Sequence, residues 1–189
     1  RPLLVCCAYT PKQMSQVGAD NLSNLIEMGF DLVTATPAPQ TAAKLALDSF
    51  LQFGNVCKST EMSLFSTVPR LAIELGVTTI FWGENPALQV GDSAVEGLDE
   101  FDGSNLRKLN TLTDGGNEWL ANAVAAPYKA HHYFYPDEYA FNKKKIKIFY
   151  LGPAWDDWSN ESNATYAALN GLSLRPFDEY ETGDISNAS

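Results

Sequence analysis

Residues 78–86 read TTIFWGENP, an apolar, β-branched run that breaks off at Gly83, Glu84, Asn85 and Pro86. A carboxylate accepts hydrogen bonds, a carboxamide both donates and accepts, and glycine lets backbone approach a ligand closely. Placed at the carboxyl end of a buried strand, where open α/β sheets bind ligands, these residues could orient a bound molecule. The competing reading is an ordinary loop, because Gly, Asn and Pro are common turn residues. A second strand end, AYTPKQ at residues 8–13, would share that edge if the two strands are parallel. In WDDWSNESN, Asp156 and Asp157 could hold a divalent metal, although neighbouring carboxylates rarely point at one ion. Trp155 and Trp158 there could stack on a sugar or base, or simply cover the edge of a core. His131 and His132 are the only histidines and have no Cys or His at ligand spacing, so no metal site is expected there, and a proton-transfer role has no support beyond residue type. No glycine-rich phosphate loop occurs in these residues, and no nucleophile–base arrangement stands out.

The elements that must position these groups alternate. PLLVCCAY is a continuous apolar strand of the kind found where both faces of a sheet are covered. The spacing predicts a helix over 15–28 stopped by Gly29, a strand in FDLVTAT, and a helix over 42–53 closed by Gly54. A further helix over 62–75, with Pro69 as an irregularity, ends at Gly76 and leads into the strand VTTIFW. Such alternation argues for a parallel sheet built from right-handed crossovers, with strands near 3–8, 31–35 and 77–82 in one sheet and helices on both faces. Residues 87–142 read as a loop-rich insertion with one or two short helices, one of them around 118–125. The strand IKIFYLG follows, then a last helix over 163–169.

A chain of 189 residues, 45% hydrophobic and 12% aromatic, is long enough for one domain with a real core. Its formal charge of −10 argues against a nucleic-acid partner, which needs a clustered basic surface. The cluster Lys143, Lys144, Lys145 and Lys147 reads as a solvated lead-in to a strand. No apolar stretch reaches the length of a membrane span and no N-terminal signal is visible, so the expected compartment is cytoplasmic. Cys6, Cys7 and Cys57 form neither a disulfide framework nor a zinc site. Asn21, Asn160, Asn163 and Asn187 head N-x-[ST] triplets that read as chance matches. The chain opens directly on a strand and closes on the polar string ETGDISNAS, as though cut from something longer at both ends.

The run FSTVPRLAIELGVTTIFWGENP resembles the N-acetyl sugar amidotransferases of the PP-loop (N-type ATP pyrophosphatase) superfamily. In that family an apolar helix and strand end in W-G-E-N-P. The similarity runs in order through RPLLVCCAYT, NLSNLIEMGFDLVTATPAP, GNVCKS, YFYPDE and IKIFYLG to Trp158 and Asn163. It implies one doubly wound, mostly parallel, Rossmann-like sheet of the adenine-nucleotide-hydrolase type across 1–189, without its N-terminal phosphate-loop strand and helix. The family's S-G-G-x-D-S loop, which would lie just before Arg1, does not occur here. Lys58 stands where the family has Trp, Glu61 where it tends to have His, and Ser159 where it has Asp.

The resemblance also implies a reaction. ATP, with Mg2+, adenylates the oxygen of an acetamido group on a sugar or sugar nucleotide. Ammonia from a separate glutaminase subunit then displaces AMP, leaving an acetamidino sugar for surface polysaccharide such as lipopolysaccharide. A water-poor crevice would protect the adenylate from hydrolysis. On this reading Tyr9 and Thr10 border the adenine or ribose, and Gly83, Glu84 and Asn85 face the nucleotide or reacting amide. Trp158 and Asn163 lie near the sugar, and no protein-held metal is implied. The alternatives are a non-catalytic nucleotide- or sugar-binding domain of the same fold, or a metal-dependent sugar-nucleotide enzyme using Asp156 and Asp157.

Overall fold

The computed structural model describes residues 1–7, 14–83, 100–102, 116–124, 130–151 and 159–174. The chain divides into two compact units, Arg1–Thr36 with Trp155–Ser189, and Pro37–Ala154.

In the first unit, β1 (Leu3–Cys7) and β2 (Asp31–Ala35) pair in parallel, with Leu3 opposite Asp31 and Cys7 opposite Ala35. Helix α1 (Gln16–Glu27) connects them, as the crossover of a parallel pair requires. Ser15 caps it by accepting from the Gly18 N–H at 3.1 Å. Its end is closed by Gly29 at φ 90°, with the Phe30 N–H donating to the Leu25 carbonyl at 3.2 Å. The last described helix of the chain, Asn160–Leu169 (α6 below), starts in a capping box at Ser159, whose hydroxyl accepts from the Ser162 N–H at 3.0 Å. Asn21 ties this unit together. Its amide donates to the Ser173 carbonyl at 3.0 Å and accepts from the Ser173 N–H at 2.7 Å. Burial and this double bond remove Asn21 as a glycan acceptor.

The second unit begins with α2 (Pro39–Phe53), which starts earlier than its Ala/Leu pattern implies because Pro39 fits the first helical turn. Helix α3 (Lys58–Leu75) runs continuously through Pro69. Just before that proline, Thr67 donates back to the Ser63 carbonyl at 2.7 Å, a local bond of the type that lets a helix bend. Strand β3 (Thr79–Trp82) follows, then β4 (Glu100–Asp102), α4 (Asn117–Ala123), α5 (Glu138–Lys144) and β5 (Lys147–Tyr150). The strand order is β3-β5-β4, with β3 parallel and β4 antiparallel to β5. Helix α5 is absent from the sequence reading. Asp137 caps it by accepting from the Ala140 N–H at 2.7 Å, and Lys143 and Lys144 occupy its last turn, where cations suit the helix dipole.

The architecture is therefore α/β with parallel strands, and the described strands fall into two sheets. The single sheet expected to join residues 3–8, 31–35 and 77–82 is not seen among the described strands, where β1 pairs with β2 and β3 with β5. Coverage differs too. Along β3 only Ile80 and Trp82 are buried, while Phe81 is 63% exposed and meets Phe149 across the strand pair at 5.9 Å. One face of this strand is packed, so its continuous apolar run reflects a cross-strand aromatic pair on the outer face. The stretch read as a loop-rich insertion contributes Trp119, Leu120, Val124, Tyr133, Tyr135 and Phe141 to the core of the second unit.

Candidate functional site

The best-defined strand end is that of β3. Trp82 is buried and stacks on Phe65 of α3 with ring centroids 5.4 Å apart, which fixes where the chain leaves the sheet. The Leu151 N–H donates to the Trp82 carbonyl at 3.0 Å, so the parallel pairing persists one bond beyond both strands. The carboxyl ends of β3 and β5 thus lie together at one edge, and the chain continues from it through Gly83 into Glu84 and Asn85. Gly83 is exposed, and among the described residues nothing stands within 4 Å of where a Cβ would be. Among the described residues no packing contact accounts for glycine at this position.

Glu84, Asn85, Tyr9, Thr10 and Trp158 lie outside the described residues, as do Trp155, Asp156 and Asp157. Gly83 and Asn163 are the sequence candidates that are described, and they belong to different units. Asn163 is exposed on the first turn of α6, its N–H donating to the Ser159 carbonyl at 3.0 Å. The end of β1 belongs to the first unit and that of β3 to the second. No three His, Cys, Asp or Glu side chains converge as metal ligands among the described residues. No described helix is long and apolar enough to cross a membrane.

The three positions that depart from the amidotransferase pattern have local explanations. Ser159 is an N-cap, a place that Ser and Asp fill about equally well. Lys58 is buried, with its ammonium 5.0 Å from the Phe53 ring centroid. Burial holds its pKa below the ordinary lysine value, and Glu61 one turn along opposes that shift. Lysine and glutamate here make a charged, partly desolvated helix start where the pattern has aromatic rings.

Sequence reasoning missed the polar face of α3. Ser59, Ser63, Ser66 and Thr67 are all buried there. The Ser66 hydroxyl donates to the His132 carbonyl, and one turn later the Arg70 guanidinium donates to the Phe134 carbonyl at 3.3 Å. This helix therefore fixes the segment carrying both histidines. A buried hydroxyl and a guanidinium four residues apart were the available signal, but their acceptors are backbone atoms more than sixty residues away and leave no local pattern. No protein-family model matches the chain, and no curated protein matches it.

Proposed function

We propose that the chain belongs to an ATP-dependent amidotransferase that converts an acetamido group of a sugar or sugar nucleotide into an acetamidino group, working in the cytoplasm on precursors of surface polysaccharide. The observation that carries this reading is the exit of β3. A parallel strand pinned by Trp82 ends at the carboxyl edge in Gly83, beside which no described residue stands within 4 Å of a Cβ, and in the sequence a carboxylate and a carboxamide follow. In its finer form the reading also takes the two sets of parallel strands as parts of one doubly wound, Rossmann-like sheet.

In that role the amide oxygen displaces pyrophosphate from the α-phosphorus of ATP, and ammonia then replaces AMP, which carries the former amide oxygen away. Gly83, Tyr9 and Thr10 would hold the nucleotide, which brings its own Mg2+. Glu84 and Asn85 would orient the reacting amide, and Trp158 with Asn163 the sugar. A glutaminase subunit would supply the ammonia. That no described residue stands within 4 Å of a Cβ at Gly83 is compatible with the approach of such a ligand. A second reading, a non-catalytic nucleotide- or sugar-binding domain, draws support from Lys58 and Glu61, whose charges replace the rings of the family pattern.

The test incubates the protein with ATP, Mg2+, ammonium and an N-acetylated sugar nucleotide, following pyrophosphate release and the mass of the sugar. Release that requires both sugar and ammonium, with the product lighter by the difference between O and NH, is the expected result. Tight nucleotide binding without turnover favours the second reading, and the absence of binding to either substrate contradicts both.

A further inference from the structure

Helix α2 has two faces of opposite character. Its inner face is fixed: Leu45 and Ser49 are fully buried, and Ser49 donates to the Asn55 carbonyl at 2.6 Å. The Trp119 indole of α4 donates to the Asp48 carboxylate, also at 2.6 Å. These ties set the rotation of the helix about its own axis, so its outer face stays outward. Leu47, Phe50 and Leu51 stand there, joined at the helix end by Phe53 and just beyond it by Val56, each more than half exposed. Single exposed apolar residues are ordinary, but five of this size in ten residues offer on the order of 500 Å² of apolar surface. Charge is sparse along the stripe, since Asp48 is bound to Trp119 and Lys44 stands at the rim. The pattern is also self-complementary. Ala43, Leu47, Phe50 and Gly54 recur at steps of four, three and four, the spacing of a seam between two paired helices. Read antiparallel about a point between Asp48 and Ser49, the series maps onto itself, with Leu47 opposite Phe50 and Ala43 opposite Gly54. Bulky side chains fill the middle, and small residues at both ends let the backbones approach.

We propose that α2 of one copy packs antiparallel on α2 of a second, making the protein a symmetric dimer through Leu47, Phe50 and Leu51. The two stripes together bury about 1,000 Å² of apolar surface before any polar rim is added, the size at which specific association begins. A twofold interface asks one patch to serve both sides, and a seam that maps onto itself does so. A surface shaped for an unrelated partner has no need of that property. The formal charge of −10 on each copy opposes association, so the dimer is weak, with a dissociation constant on the order of 10 µM, and it tightens as salt screens the repulsion. The inference does not rest on the amidotransferase reading.

Sedimentation velocity of the full chain over about 1–200 µM tests this, with the mass expected to rise from one chain to two across that range. Leu47→Glu and Phe50→Lys, both at exposed positions, should leave the thermal transition of the dilute protein in place. Each should weaken association by about tenfold or more, because each puts a charge into the apolar seam. Mixed in equal amounts, the two variants should dimerise again. In the mixed dimer one carboxylate faces one ammonium, while the second contact keeps its Leu47–Phe50 pair, a rescue particular to the antiparallel register. If either variant fails to fold, Leu51→Gln, which adds no charge, should weaken association by about threefold or more. A chain that stays monomeric throughout leaves the stripe to a different partner and overturns the proposal. A dimer that both variants leave intact, or a mixture of the two that stays monomeric, overturns it as well.

Discussion

The two units of this chain are built on different balances of forces. Every buried apolar side chain among the described residues belongs to Pro37–Ala154, where α3, α4, α5 and the β3-β5-β4 sheet enclose Met62, Leu120 and Ile148. In the other unit Asn21 is the buried side chain among the described residues, and β1 and β2 have residues that are half-buried or exposed. Its ties are the double bond between Asn21 and Ser173 and an exposed ion pair between Arg1 and Asp31 at 3.2 Å. A two-stranded sheet is marginal alone, and exposed ion pairs contribute little. Among the described residues, the same α/β grammar therefore yields one unit with buried apolar side chains and one whose visible ties are polar. A strand end in the first kind of unit has a rigid base, which is what a ligand site at β3 requires.

The largest expected effect is in the packed unit. Ile148→Ala, at a fully buried site in the central strand, should cost about 2–5 kcal/mol in chemical denaturation. Hydrogen exchange of β1 and β2 amides should change far less than that of β3 and β5. Equal losses in both would break the comparison. Gly116→Ala should follow, at about 1–3 kcal/mol, because φ is 61° and a Cβ would strike the Sδ–Cε end of buried Met62. In a Met62→Ala background, itself destabilised by the cavity it leaves, the same Gly116→Ala change should cost less than in the parent if the collision is its cause.

In the polar unit Asn21→Ala leaves both backbone groups of Ser173 to find new partners, costing about 1–2 kcal/mol. The effect should appear as faster exchange around residues 171–174, with the thermal transition of the packed unit unmoved. The smallest effect is on pH dependence. The folded state holds His132 below its ordinary value of 6.5, so the unfolded chain takes up that proton first as pH falls. The stability His132 gives is complete above about pH 7 and declines as pH drops toward the folded-state value. His132→Gln should flatten that part of the curve below about pH 7, and an unchanged slope would contradict the assignment.

Local signals explain which parts of this fold were legible. Gly29, Gly54 and Gly76 ended three helices where the sequence placed their stops, because a positive φ at a helix terminus is a property of a few residues. Helix α5 escaped because its seven residues hold no full amphipathic repeat, although its Asp137 cap and terminal lysines were visible. The partner of β3 was illegible for another reason: β5 lies about sixty-five residues away, and nothing in TTIFW selects it over β1. Phe81 misled because an apolar residue facing outward against Phe149 looks, in one dimension, like one buried on both faces. At the candidate site, residue chemistry marked Gly83 to Asn85, whereas the α3 side chains that hold the histidine segment became visible only through distant backbone partners.

The central claim is that the exit of β3 is a ligand site and not merely a turn. Glu84→Gln tests it most directly when thermal melting and sugar-dependent pyrophosphate release are measured on the same preparation. The account predicts a melting temperature within about a degree of the parent, since Trp82 pins the exit, together with a loss of turnover of about a hundredfold or more. A collapsed melting temperature, or turnover equal to that of the parent, would contradict it and make WGENP a structural turn.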